Sequence, residues 1–337
     1  MLARRSNIDI SYRGINVTSD IAKDLLSFEY TDNASGTSDS ITISLKDDQK
    51  KWISSWAPQQ GDSIRASIIT NNWRREGDNQ QLKCGAFMVD EPEYSGRPSV
   101  FAINAAAIPV NNNFRDTPNS RTWDNVTIQK IGLDIAASAG LTLYYDSRKK
   151  VLIDYLEQSE QSDSAFLADL CEKYGLCYKV YTNKIVIFSE QEYELKAPII
   201  QIKESDVTSW SAKQALTGTG YDGCILTYTS LDEEEPLGYA FDLVKNPKKI
   251  LRINKDVSSI AEAEMVVKAE LRRANKKQFT MAFSLPGNVN LIASSTVMVS
   301  GFGVFDGKYY IDVATHGVSG SGYVTQLGIH KVLRGGY

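Results

Sequence analysis

Apolar and polar residues alternate with a period of two in short runs through the first 107 residues. The clearest runs lie at 8–12, 26–30 and 41–45, and others follow at 63–69, 86–89 and 100–105. Because successive side chains of a strand point to opposite faces of a sheet, each run predicts a half-buried strand. Short strands separated by turn residues predict a small antiparallel barrel or sandwich over residues 1–110.

The hydrophobic period becomes helical after the polar segment 111–121. One stripe consists of Ile128, Ile131, Ile135 and Ala139, with Asp124, Asn125 or Thr127 as the N-cap and Gly140 as the C-terminal glycine. A second helix is predicted at 164–174, closed by Gly175, and a hairpin is predicted from strands at 176–180 and 184–188. Residues 111–197 therefore read as an α+β insert domain.

The strand pattern returns over 198–337, with the clearest run at 223–229 before an acidic loop at 232–235. One helix interrupts it at about 259–277, where Ser259 and Glu262 form a capping box before a stripe of Ile260, Ala263, Val267, Leu271 and Ala274. Toward the end, the sequence predicts a hairpin from 303–305 and 308–313 and a last strand at 323–333. The fold class is thus α+β and mostly β.

Two segments far apart in the chain share one residue pattern. Residues 85–90 and 307–312 both read glycine, any residue, aromatic, large apolar, β-branched, aspartate. An aromatic residue opens the next strand 16 residues after each glycine, Phe101 after Gly85 and Tyr323 after Gly307. Either two amphipathic strands agree by coincidence, or the outer regions are copies of one β-domain on either side of the insert.

Composition and charge exclude several classes of protein. The 337 residues are 42% hydrophobic and 10% aromatic with a net charge of -4, which is typical of two or three globular domains and not of a disordered chain. Without an overall positive charge, sequence-specific nucleic-acid binding is disfavoured. No run is long enough for a membrane span and no signal peptide is visible, so we expect a soluble protein made in the cytoplasm.

No residue pattern supports catalysis, a cofactor or a metal. Residues 218–223 match Gly-x-Gly-x-x-Gly, but a strand follows where a dinucleotide site needs a helix, so a turn between strands is the better interpretation. His316 and His330 lack neighbouring cysteines or carboxylates in sequence and are interpreted as ordinary strand residues. Glu157 and Glu160 are typical of solvated surface. We therefore assign no catalytic, cofactor-binding or metal-binding residue.

The remaining chemically distinctive residues have ordinary explanations. The four cysteines, Cys84, Cys171, Cys177 and Cys224, are too few and too scattered for a disulfide framework and predict buried thiols. Lys245, Lys248 and Lys249 form a short basic loop that solvation explains, with a contact to an acidic partner as the weaker alternative.

Two β-domains around an α+β insert, with no catalytic signature, resemble the baseplate hub family of contractile phage tails, which includes late-control-D and XkdQ-type prophage hub proteins. The resemblance covers nearly the whole chain and is strongest at 81–107, at 160–167 with 174–176, and at 305–311. It implies a homotrimer in which two barrel-like tube domains per chain make a ring of six, with edge strands that pair across chains. Such a ring joins the sixfold tail tube to a threefold spike.

The same resemblance implies the partners and the location of the protein. The partners would be the tail tube, spike, tape-measure and baseplate wedge proteins, in the tail of a virion or of a phage-tail-like bacteriocin. No further domain is expected after Leu333, and hence no fused spike or cell-wall hydrolase. Two alternatives remain open at this point: a glycan-binding or glycan-active β-protein, which the 17 tyrosines and 5 tryptophans would suit, and the hub of a long flexible tail.

Overall fold

The computed structural model describes residues 3–107, 113–228, 237–333, 335 and 337. The first β-region, residues 3–107, contains β1 (Arg5–Tyr12), β2 (Ile15–Asn16), α1 (Thr18–Ile21), β3 (Leu25–Asn33), β4 (Ser40–Lys46), β5 (Ser63–Asn71), β6 (Gln80–Ser95) and β7 (Val100–Ala106). The predicted alternation is confirmed: in β4, Ile41, Ile43 and Leu45 are buried and the residues between them are not. The predicted domain boundary at residue 110 lies outside the described residues.

The insert contains α2 (Asn113–Asp116), β8 (Pro118–Thr127), α3 (Ile128–Ser138), β9 (Thr142–Asp146), β10 (Leu152–Ser162), α4 (Asp163–Lys173), β11 (Cys177–Tyr181), β12 (Lys184–Phe188) and α5 (Glu190–Glu194). Both predicted helices are confirmed. The Thr127 hydroxyl accepts a hydrogen bond from Lys130 N, and Gly140 follows α3 with φ +68°. The antiparallel pair β8–β10 was not predicted, because β8 alternates between exposed and half-buried residues and carries little apolar signal.

The last region contains β13 (Gln201–Lys203), β14 (Ser209–Gln214), β15 (Gly223–Tyr228), β16 (Leu237–Asp242), β17 (Ile250–Asn254), α6 (Ile260–Asn275), β18 (Phe279–Pro286), β19 (Thr296–Ser300), β20 (Gly307–Ser319) and β21 (Gly322–Lys331). Strands β16, β15 and β17 form a separate small sheet that packs against α6 through Leu226, Val267 and Leu271. The predicted acidic loop at 232–235 lies outside the described residues.

Two sequence predictions in this region are wrong. Residues Gly303–Phe305 form a 3-10 turn instead of a hairpin strand, because Gly301 at φ +91° turns the chain so that Phe302 packs on Phe283. The strand beside β20 is β19 instead. In α6, Ile260 is 69% exposed although it belongs to the predicted stripe, because it is the first residue of the helix; Val266, which the stripe did not include, is buried.

The two β-regions repeat one strand order. The first runs β3-β4-β7-β6-β5-β1, and the second runs β14-β18-β21-β20-β19-β13. When the six strands named for each region are numbered in chain order, both regions have the same strand order. The regions differ in two respects. The last strand of the order is antiparallel in the first region, where β1 pairs with β5, and parallel in the second, where β13 pairs with β19. The connection from β3 to β4 is a short loop, whereas the equivalent connection from β14 to β18 contains the small sheet and α6. Coincidence between two isolated strands does not explain a strand order that six strands of each region share.

The repeated sequence pattern marks equivalent hairpins, β6–β7 and β20–β21. Both contain a bulge at the aspartate of the pattern, Asp90 in one and Asp312 in the other. The pairing registers differ by two residues: Phe101 is opposite Tyr94, whereas Tyr323 is opposite Val318. A shift of two keeps every side chain on the same face of its sheet.

The two β-regions join in one thirteen-stranded sheet through β20 and β3. Residues 313–319 of β20 pair antiparallel with residues 27–33 of β3, while the start of β20 pairs with β19 inside its own region. Each region nevertheless retains its own core. None of the helices in the described residues is both long and apolar enough to cross a membrane.

Candidate functional site

His316 lies at the seam between the two β-regions, where it is opposite Tyr30 of β3 and stacks on its ring. Burial lowers the pKa of His316 to about 4, so the imidazole is neutral at pH 7. Nε2 donates to the Leu291 carbonyl at 3.0 Å, and Nδ1 accepts from the Tyr323 hydroxyl at 2.7 Å. Both ring nitrogens are therefore bonded within the second β-region, and the stacking on Tyr30 is the contact of His316 that crosses the seam.

A second contact tightens the same seam around Gly287. Trp73 of the first region donates its indole N–H to the Gly287 carbonyl, and Gly287 N donates to Tyr323 O at 2.8 Å. A Cβ at position 287 would lie 2.1 Å from the Tyr323 ring. Only glycine fits this approach between the backbone and the aromatic ring.

His330 lies in a buried charge cluster between β20, β21 and the end of the insert. Its Nδ1 donates to Asp312 Oδ2 at 2.8 Å and its Nε2 to Glu194 Oε1 at 3.0 Å. Burial alone would lower the pKa of His330, but the carboxylates raise it to about 9, so the ring is charged at pH 7. The sequence interpretation that no carboxylate lies beside this histidine is wrong, because Glu194 comes from a helix 136 residues away.

Two basic residues complete the cluster, Arg272 of α6 and Lys276 at the C-cap of that helix. Arg272 binds Glu194 at 2.9 Å and Lys276 binds Glu190 at 3.0 Å. Burial would raise the pKa of Glu190, but Lys276 and His330 hold it at about 2. The oxygen and nitrogen atoms of Glu190, Glu194 and His330 lie within 4.8 Å of one another, a spacing that a metal ion could use, but the chain supplies its own cations here. The arrangement is a charge-paired junction between three parts of the chain.

Lys179 of the insert makes the corresponding contact with the first β-region. Its ammonium lies 2.7 Å from Asp32 and 3.0 Å from Asp39, and it also donates to the Asn33 carbonyl. Burial raises the pKa of Asp39 to about 6 even though Lys179 opposes the shift. No sequence signal marks these residues, because a polar residue in a strand is usually solvent-exposed.

The other sequence candidates are brought into no common site. Residues 218–222 lie in the loop between β14 and β15, as predicted, and Gly223 begins β15. Asp222 accepts hydrogen bonds from Lys248 N and Lys249 N, and the Lys249 ammonium binds carbonyls of the same loop. Lys249 thus stabilises this loop, which the interpretation as a purely solvated cluster missed. Glu157 and Glu160 are exposed on β10, and all four cysteines are buried free thiols, as predicted.

Two sheet edges and one pocket are among the places where aromatic residues are exposed. Tyr94 on β6 is 39% exposed and Trp210 on β14 is 44% exposed. A pocket of about 320 Å³ near the start of the chain is lined by Trp52 and Trp56, whose rings are both covered by the Lys51 ammonium. Edges that carry aromatic residues are typical of protein interfaces.

The comparisons with known proteins agree with the family that the sequence resembles. A "Probable baseplate hub protein" of Escherichia phage 186 is 23% identical over 93% of this chain and 89% of the relative. A protein of the same name from Escherichia phage P2 is 29% identical over 57% of this chain and 48% of the relative. The predicted resemblance to phage baseplate hub proteins is therefore confirmed. No family model matches the chain.

Solved structures share the fold. The 43 kDa tail protein of prophage MuSo2 from Shewanella oneidensis has a TM-score of 0.74 at 12% identity and covers 96% of this chain and 98% of its own. An E. coli component of the type VI secretion system, described as similar in structure to the T4 tail proteins gp27 and gp5, has a TM-score of 0.60 at 10% identity over 96% of this chain and 77% of its own. The mostly β architecture is thus one that tail proteins adopt.

Proposed function

We propose that the chain is a structural baseplate hub protein of a contractile phage tail or phage-tail-like particle, and that three copies form a ring. The observation that carries this proposal is the strand order repeated in two β-regions of one chain. Three copies would present six similar β-regions, matching a sixfold tail tube, while the ring as a whole keeps threefold symmetry for a central spike. The similarity to the hub proteins of phages 186 and P2 supports the assignment.

The proposed role is mechanical, without an enzymatic step. The buried pairs of Lys179 with Asp32 and of His330 with Glu194 tie the insert to both β-regions, so that the chain can transmit force as one body. The proposed partners are the tail tube, spike, tape-measure and wedge proteins of a baseplate. A net charge of -4 would keep the ring from binding a polyanion that passes through it.

Light scattering tests the proposal on the purified chain, alone and mixed with the tube and spike proteins encoded beside it. The expected mass of the hub component is three times 37.4 kDa. A chain that stays monomeric in every mixture and binds neither neighbour would contradict the proposal. The hub of a long flexible tail is a variant of the same function, which the neighbouring reading frames distinguish.

Glycan binding is the second candidate, favoured by the pocket with Trp52 and the 44% exposed Trp56. Indole faces stack on sugar rings, but here the Lys51 ammonium lies 3.9 Å from the Trp56 ring centre and covers one face. Selective binding on a glycan array that Trp56→Ala abolishes would favour this candidate. A structural hub should bind no glycan selectively.

A further inference from the structure

Each β-region leaves one strand edge unpaired, that of β6 in the first region and that of β14 in the second, and these edges are the counterparts of the β20 and β3 edges that pair at the seam. Residues 91–95 of β6 pair with β7 on one side, and β14 pairs with β18 on one side. Among the described residues, no other strand pairs with either outer edge. Both edges are exposed, so their backbone groups are open to a further strand.

The seam inside the chain, where β20 pairs with β3, shows how the equivalent edges of β6 and β14 can pair. The repeated pattern places residues 91–95 of β6 on residues 313–317 of β20, so Tyr94 corresponds to His316. Following the strand pairings across each region, Ala212 of β14 corresponds to Tyr30 of β3. Within the chain, His316 is opposite Tyr30. The same relationship between two chains puts Tyr94 of one opposite Ala212 of the other.

We infer that β14 of one copy adds antiparallel to the outer edge of β6 in a second copy, with Tyr94 opposite Ala212 and Glu93 opposite Lys213. This inference rests on the proposed ring and specifies its contact between chains. The contact is head to tail, so every copy uses both edges, and a ring that closes leaves neither edge free. The seam between β-regions would then be the same within a chain and between chains.

The side chains on the two edges are complementary in this register. Glu93 and Lys213 are both exposed and carry opposite charges. Tyr94 and Trp210 lie diagonally on one face, where aromatic side chains of neighbouring strands reach each other. Pro92 offers no N–H, so one rung of the ladder lacks a donor, which suits a strand whose edge must stay open until assembly.

The internal seam also fixes which pairs bring side chains closest. Ala34 N donates to Asp312 O at 2.8 Å, which makes even-numbered positions of β20 the hydrogen-bonded ones. Transferred to β6, the odd-numbered Glu93 and Ser95 fall in non-hydrogen-bonded pairs, whose Cα atoms lie about 4.5 Å apart. Ser95 would be opposite Ser211 at a distance that a disulfide accepts.

Disulfide trapping tests the register. Ser95→Cys and Ser211→Cys are purified as separate single variants and then mixed under oxidising conditions. The mixture contains the tube and spike proteins if light scattering shows that trimers form only in their presence. The expected product is a disulfide-linked dimer in the mixture that neither variant gives alone. Ser209→Cys in place of Ser211→Cys is the control, because position 209 is two residues out of register and should give at least tenfold less product.

Charge reversal provides the second measurement. Glu93→Lys and Lys213→Glu should each weaken association at least tenfold, and the double variant should recover it, while Glu157→Lys on exposed strand β10 should change nothing. Trimers without the Ser95–Ser211 cross-link, or with equal cross-linking at Ser209, overturn the inference and leave the proposed ring intact. A chain that is monomeric in every mixture overturns both.

Discussion

Asp90 and Asp312 occupy the same position in the two β-regions, each as the extra residue of a bulge five residues after a glycine of positive φ. A bulge bends its strand, which lets one long strand continue from one pairing partner to another. Asp312 has gained a second role, because its carboxylate binds His330 whereas Asp90 is exposed. The repeat thus conserves backbone geometry while the side chains diverge.

Asp312→Asn should therefore cost more than Asp90→Asn. Asp312 is one third exposed and pairs with charged His330, so we expect a loss of about 1–2 kcal/mol in the free energy of unfolding. The matched Asp90→Asn change should stay within about 0.5 kcal/mol. Urea titrations of both variants measure the difference, and equal losses would contradict a specific role for the pair.

His330 makes the stability depend on pH. Its pKa rises from 6.5 in the unfolded chain to about 9 in the folded one, so its contribution is complete below pH 6.5 and is lost as the pH rises through 9. Wild-type protein should lose roughly 3 kcal/mol across this window, and His330→Gln should lack most of that slope. Unfolding by urea at pH 6 and pH 9.5 measures it; parallel slopes would show that another group titrates.

Lys179→Met should destabilise the junction between the insert and the first β-region by about 3 kcal/mol, because Asp32 and Asp39 would be left buried without a cation. Lys184→Met is the control in the adjacent strand, where the lysine is exposed, and should change stability by less than about 0.5 kcal/mol. Thermal unfolding compares the two. A similar melting temperature for both would mean that the buried pair contributes no net stability.

Gly287→Ala should open the seam between the β-regions, because its Cβ would meet the Tyr323 ring at 2.1 Å. Overpacking of this kind costs about 1–3 kcal/mol. Gly317→Ala, in the seam strand β20 with no atom within 4 Å of the added carbon, should be nearly neutral. The free energies of unfolding of the two variants are compared by urea titration, and equal losses for Gly287→Ala and Gly317→Ala would contradict a clash at position 287.

Much of the local structure follows from the sequence because its signals are local. The period of two in β4, the Thr127 cap of α3 and the glycines after α3 and α4 each act within a few residues of their own position. The repeated Gly-x-aromatic pattern also located two equivalent hairpins. Where local signals conflict, prediction fails: Val304 and Phe305 look like a strand, but the glycines beside them turn the chain away.

The sequence by itself determined the mostly β character and the helices of the insert, since periodicity and capping depend on neighbours in the chain. Only the tertiary structure decided that β20 joins β3 in one sheet, that Glu194 and Asp312 hold His330 charged, and that no other strand of the described residues pairs with the outer edges of β6 and β14. The reason is physical: strand pairing and buried charge depend on which distant segments meet, and no period in the chain records that meeting.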